Sequence, residues 1–113
     1  MELKSALACL SALAQENRLA VFRLLVQAGP DGLAAGDIAR TLDIAPNTLS
    51  AQLVILTGAG LATSRRDGRS IIYAAEFGAV AELIRYLAED CCQGRPEVCG
   101  LPLLPASRSD CRG

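Results

Sequence analysis

Apolar residues recur at helical spacing from the start of the chain. Leu3, Leu7, Leu10 and Ala14 lie three or four apart and predict a first helix. The polar stretch Gln15-Glu16-Asn17-Arg18 reads as a helix–helix junction. A second helix is predicted from about Asn17 to Ala28, with Val21, Leu24, Leu25 and Ala28 on one face. Gly29-Pro30 stops it, and Asp31-Gly32 prolongs the break. A short helix over 37–42 places Ile38 and Leu42 four apart, and Asp43-Ile44-Ala45-Pro46 forms a turn. From Asn47 onward Leu49, Leu53 and Leu56 repeat at i, i+4 and i+7, ending near Gly58-Ala59-Gly60. Two helices joined by so short a turn, the second opened by proline and dotted with small polar residues, form a helix-turn-helix pattern.

The periodicity then changes. Leu61 to Arg66 and Arg69 to Ala75 predict two strands, with Asp67-Gly68 as the hairpin turn between them. A last helix is predicted over roughly 76–90, with Val80, Ile84 and Leu87 on its buried stripe and Cys91 one turn beyond. After Gly94 and Pro96 the chain is aperiodic. The expected fold is mainly α with a small β-hairpin, a winged helix-turn-helix in the order α-α-α-α-β-β-α. Residues 1–92 are expected to form the DNA-binding and dimerisation domain and residues 93–113 an irregular tail.

At 113 residues, one core is all the chain can build. Only Phe22, Phe77, Tyr73 and Tyr86 are aromatic and tryptophan is absent, so aliphatic side chains must fill that core. No apolar run approaches the ~18 residues of a membrane span, and no secretory leader is signalled; a cytoplasmic protein is expected. The net charge of −1 announces no nucleic acid globally, so any DNA contact must come from a local patch.

Such a patch is legible. Asn47, Thr48, Ser50 and Gln52 on the second helix of the pair can bond base edges or phosphates. That helix holds no Lys or Arg, so Arg65, Arg66 and Arg69 on the hairpin must carry the phosphate contacts, with Arg40 as an addition. One such domain reads too few base pairs to be selective. A two-fold homodimer on an imperfect inverted repeat of operator DNA is expected, joined through the first and last helices.

The other candidate chemistry lies at the chain's end. Cys91 and Cys92 are adjacent and Cys99 follows across Gln-Gly-Arg-Pro-Glu-Val, in a chain without histidine. Five cysteines, an odd number without an export signal, favour thiol chemistry or metal binding over a disulfide framework. Three thiolates suit a soft trivalent ion with a lone pair, whereas Zn(II) would want a fourth ligand, which Cys111 could supply. The plainer reading makes Cys91 a small apolar residue closing a helix stripe. It does not account for Cys92 and Cys99, which sit in polar, turn-like sequence. Cys9, on the apolar side of the first helix, is expected in the core. A switch by disulfide or polysulfide between Cys99 and Cys91 or Cys92 also remains open. No enzyme is expected: no cysteine has Arg six residues later, as phosphate-loop thiol reductases require, and no histidine is present to activate a nucleophile.

Three segments in order resemble the ArsR/SmtB family of metal-responsive repressors. They are Leu13-Ala14-Gln15-Glu16-Asn17-Arg18-Leu19 at the entry to the second helix, Ser50-Ala51-Gln52-Leu53 with Leu56 and Gly60-Leu61, and Arg65-Arg66-Asp67-Gly68-Arg69 with Tyr73. Two departures set the subtype. Leu33-Ala34-Ala35-Gly36-Asp37-Ile38 stands where many arsenic repressors carry Leu-Cys-Val-Cys-Asp-Leu, and the histidines of the zinc-sensing members are missing. The resemblance therefore implies an arsenic-responsive branch whose ligands are Cys91, Cys92 and Cys99. As(III) or Sb(III) would act as inducer, with no permanent cofactor and no membrane partner. The alternatives are a redox- or persulfide-sensing repressor of the same fold and, behind it, a thiol-based arsenic-handling enzyme.

Overall fold

A computed structural model describes residues 1–88. Its elements are α1 (Leu3–Leu13), α2 (Glu16–Ala28), β1 (Leu33–Ala34), α3 (Ala35–Leu42), α4 (Pro46–Gly58), β2 (Ala62–Asp67), β3 (Ser70–Ala75) and α5 (Phe77–Ala88). Helices predominate, and the small antiparallel sheet has the order β1-β3-β2. This is a winged helix-turn-helix with one strand more than the expected hairpin.

The extra strand escapes the sequence because two residues are too few to show an alternating pattern. It exists because the backbone of Leu33 and Ala34 finds partners in Tyr73 and Ile72 of β3. Gly32 leads into it with φ +73°, and a Cβ there would run into the carbonyl oxygen of Tyr73. Glycine at this position is a requirement of the close crossing. The hairpin turn also shifts by one residue. Asp67 pairs with Ser70, so the loop is Gly68-Arg69, not Asp67-Gly68. Gly68 has φ +65° and Arg69 an ordinary φ, the pattern of a turn with glycine at its first central position.

The core is aliphatic: Val21, Phe22 and Leu25 of α2, Ile38 of α3, Leu49, Leu53 and Leu56 of α4, Leu61, and Leu83 of α5. On α4 the buried residues are those the spacing predicts. On α1 the buried stripe is the one that carries Cys9, as expected of that residue. Ala6, Cys9 and Ala12 face inward, while Leu3, Leu7 and Leu10 are exposed. Small residues on the inner stripe let α1 lie close against its neighbours, which leaves the leucines pointing out. The buried stripe of α5 likewise centres on Leu83, with Val80 and Tyr86 partly buried beside it, not on Val80, Ile84 and Leu87. Leu87 is 54% exposed. The helix is apolar on more than one face, so periodicity alone cannot say which face the core takes.

Cys9 is 2% exposed, its Sγ lying 3.5 Å from the carbonyl oxygen of Ala59. Burial pushes its thiol pKa up, so it stays protonated and inert near neutral pH.

Candidate nucleic-acid interface

The helix-turn-helix is held by its own backbone before any side chain is considered. α3 ends at Asp43, whose left-handed φ of 54° suits a short polar side chain. The N–H groups of Asp43 and Ile44 both return to the carbonyl of Ala39, which closes the helix and sets the turn. Pro46 then opens α4 in its first turn, where a missing N–H costs nothing. No side chain caps this end of α4. The N–H groups of its first turn are therefore left to solvent or to an anion.

Burial of Leu49, Leu53 and Leu56 decides which way α4 faces. Asn47, Thr48 and Ser50 fall on the open side together and are all exposed. Gln52 does not join them. It is partly buried, and its Oε1 accepts a hydrogen bond of 3.0 Å from Arg18 Nη1. Its oxygen is held to the scaffold by Arg18, which fixes where the amide points.

Arg18 is the residue the sequence reading overlooks. Its Nε donates to the carbonyl of Ala12 at 2.6 Å and its Nη2 to that of Ser11 at 3.4 Å, both at the end of α1. One guanidinium thus ties the last turn of α1 to the middle of α4. Its own helix starts properly because the Gln15 side chain accepts from Arg18 N at 2.9 Å. A signal was available: Arg18, Val21, Phe22 and Leu25 form an i, i+3, i+4, i+7 set, and a cation on a buried stripe demands acceptors.

The wing arginines separate by role. Alternation along β2 sends Arg65 and Arg66 to opposite faces of the sheet. Arg65 reaches over β3, and its Nη2 donates to the carbonyl of Asp31 at 3.0 Å, tying the wing to the loop before β1. Arg66 and Arg69 are exposed and form no ion pair among the described residues. Arg40 pairs with Asp37 one turn earlier on α3; both are exposed, so the pair contributes only a few tenths of a kcal/mol and stays exchangeable. We expect Arg66→Ala with Arg69→Ala to weaken binding to every duplex alike. The plot of log affinity against log salt should flatten by roughly 0.9 for each phosphate contact removed. Fluorescence anisotropy across a salt series checks this, and an unchanged slope would remove the wing from the interface.

No cluster of metal-ligating side chains occurs among the described residues. Cys91, Cys92, Cys99 and Cys111 lie outside them. Among the described residues no helix is long and apolar enough to cross a membrane.

A family model described as a helix-turn-helix domain matches residues 13–65, the stretch from the end of α1 into β2. No curated protein matches the chain. Solved structures do. An ArsR-like transcriptional regulator from Rhodococcus sp. RHA1 superimposes with TM-score 0.71 at 23% identity, covering 80% of this chain and 82% of its own. The homodimeric winged helix-turn-helix DNA-binding domain Mb0332 from Mycobacterium bovis, a possible ArsR-family regulator, gives 0.62 at 29% identity over 80% and 84%. A possible transcriptional regulator for arsenical resistance gives 0.60 at 26% identity over 68% and 77%. The fold, the open helix face and these comparisons define a class of fold: a helix-turn-helix domain like those of DNA-binding transcriptional regulators, which is what the similar structures are, rather than enzymes. Within that class its architecture is the winged helix of the ArsR-type regulators.

Proposed function

We propose that the protein is an ArsR-family repressor that binds operator DNA as a homodimer and lets go when As(III) or Sb(III) binds Cys91, Cys92 and Cys99. The observation that carries the DNA-binding part is the exposed α4 face beside a wing with two arginines that form no ion pair among the described residues. Asn47, Thr48 and Ser50 would contact the major groove, and Arg66 and Arg69 the phosphates, with Arg65 bracing the wing.

Dimerisation is supported by the homodimeric Mycobacterium neighbour. It is supported also by Leu3, Leu7 and Leu10 on α1 with Phe77 and Leu87 on α5, all exposed in the single chain. α1 packs against α5, so the two helices that carry these side chains are neighbours in the fold. Exposed apolar side chains on adjacent helices suit burial against a second copy.

The inducer rests on the donor set: three thiols and no histidine in the whole chain suit a soft, pyramidal trivalent ion. The neighbour named for arsenical resistance agrees with it. Each thiol proton leaves with a hydroxide of As(OH)3 as water, three waters in all and no net proton, so loading should change little with pH below the thiol pKa. The cysteines follow α5 in the chain, α5 packs on α1, and Arg18 joins α1 to α4. A change at the end of α5 thus has a contiguous physical route to the recognition helix. A coupling of about 1–3 kcal/mol is enough to release a repressor.

The deciding experiment is operator binding by the wild type and by C91S/C92S/C99S, with and without As(III), under strong reductant. The wild type should dissociate and the triple variant should stay bound. Reductant excludes an obligatory oxidation, the route that the redox-sensing alternative needs. Release of the triple variant by As(III) would sink the proposal.

A further inference from the structure

The outward pole of α4 carries a chemistry that its polar residues do not explain. With Leu49, Leu53 and Leu56 buried, the 100° step of the helix puts Asn47, Ala51, Val54 and Gly58 opposite the core. Val54 is 69% exposed, more than any other large apolar residue among those described, and Ile55 flanks it at 41%. This face holds no cation, so it cannot make the bidentate Arg or Lys contact to guanine that dominates direct readout. Ala51 and Gly58 are small enough to let the helix lie close to the base edges. What the pole offers is one amide, at Asn47, followed by a branched hydrocarbon.

We infer that Val54, with Ala51 beside it, reads thymine by packing on its 5-methyl group in the major groove. The inference rests on the DNA-binding reading above and adds a specificity to it. The thymine methyl is the one apolar group a base pair displays in that groove, and an aliphatic side chain is its complement. Asn47 is suited to adenine, through N6 and N7. It sits about 10.5 Å along the helix from Val54, roughly three base-pair rises away. The half-site should therefore be read mainly at A·T pairs, with at least one thymine methyl under Val54. A solvated valine is common on protein surfaces. Val54 differs in standing on the side of α4 opposite the core, the side that would face the groove.

The test begins with duplexes selected from a random pool by the wild-type protein. In the selected operator each thymine is then replaced singly by uracil, which removes the methyl and keeps every hydrogen-bonding group. Wild type should lose about fourfold in affinity at one or two positions, the ratio expected for one buried methyl. Val54→Ala, exposed and in a helix where alanine is favourable, should fold normally and lose most of that sensitivity at the same positions. Uracil replacements that leave wild-type affinity unchanged at every thymine, while binding stays sequence-selective, overturn the inference and leave the repressor reading intact. A methyl effect equally large in V54A overturns the assignment to Val54. Failure to recover any preferred duplex overturns both.

Discussion

Arg18→Ala should lower stability by about 2–3 kcal/mol and weaken operator binding by about tenfold or more where the protein remains folded. The substitution removes three hydrogen bonds at once, and two of their acceptors are carbonyls at the end of α1, Ser11 and Ala12. The Ser11 carbonyl keeps the N–H of Ala14 at 3.2 Å, whereas the Ala12 carbonyl, in the last turn of the helix, loses its charged donor. The third acceptor is Gln52 Oε1 on α4. Stability falls because partly buried acceptors lose a charged donor. DNA affinity falls because α4 is no longer braced against α1. Arg18→Lys should recover little, since a single ammonium cannot reach acceptors on two helices as a planar fork does. Gln52→Ala removes only one arm and should cost about 1 kcal/mol. A double-mutant cycle between the two residues, read by urea denaturation, should show their effects coupled. If Q52A instead leaves stability untouched and changes operator preference, Gln52 is a base reader and not a strut.

Gly32→Ala should be the most damaging change in the wing region, costing about 2–4 kcal/mol. Two causes add. The backbone at Gly32 has φ +73°, where an L side chain is strained, and the new Cβ meets the carbonyl oxygen of Tyr73, with Ile72 Cγ2 only 3.0 Å away. Either β3 shifts or β1 detaches from it. Both outcomes disturb Asp31, whose carbonyl holds Arg65, so the wing should loosen as well. Gly29→Ala is the matched control. Its φ is +80° and its ψ −167°, a region that glycine alone adopts readily, but nothing lies within 4 Å of the added methyl, so only the backbone cost of about 1–3 kcal/mol applies. Denaturation midpoints of the two variants separate collision from backbone strain. Equal losses would mean that the crossing at Tyr73 relaxes freely.

The helix-turn-helix was legible because its signals are local. Pro46, the leucines at 49, 53 and 56, and the glycines after them each act within one turn of the chain. Burial then follows from spacing, and Asn47, Thr48 and Ser50 come out exposed as their position on the wheel requires. Where a helix is apolar on more than one side the same reasoning fails. α1 has a leucine stripe and a small-residue stripe, and the core takes the second. β1 was invisible for a different reason: its two residues are a strand only because β3 is there to pair with them.

What the chain determined by itself was the order of the helices and of the two hairpin strands, the open face of α4, the arginine-rich wing and a cysteine cluster free of histidine. All of these depend on neighbours in sequence, through periodicity, turn chemistry and residue type. Tertiary structure alone decided that Gln52 belongs to a brace, that Arg65 holds a loop, that Arg18 joins α1 to α4, and that Leu3, Leu7 and Leu10 face outward. Each of those is a contact or a vacancy between segments distant along the chain. Side chains of this kind satisfy whichever acceptor or surface the packed neighbours leave them.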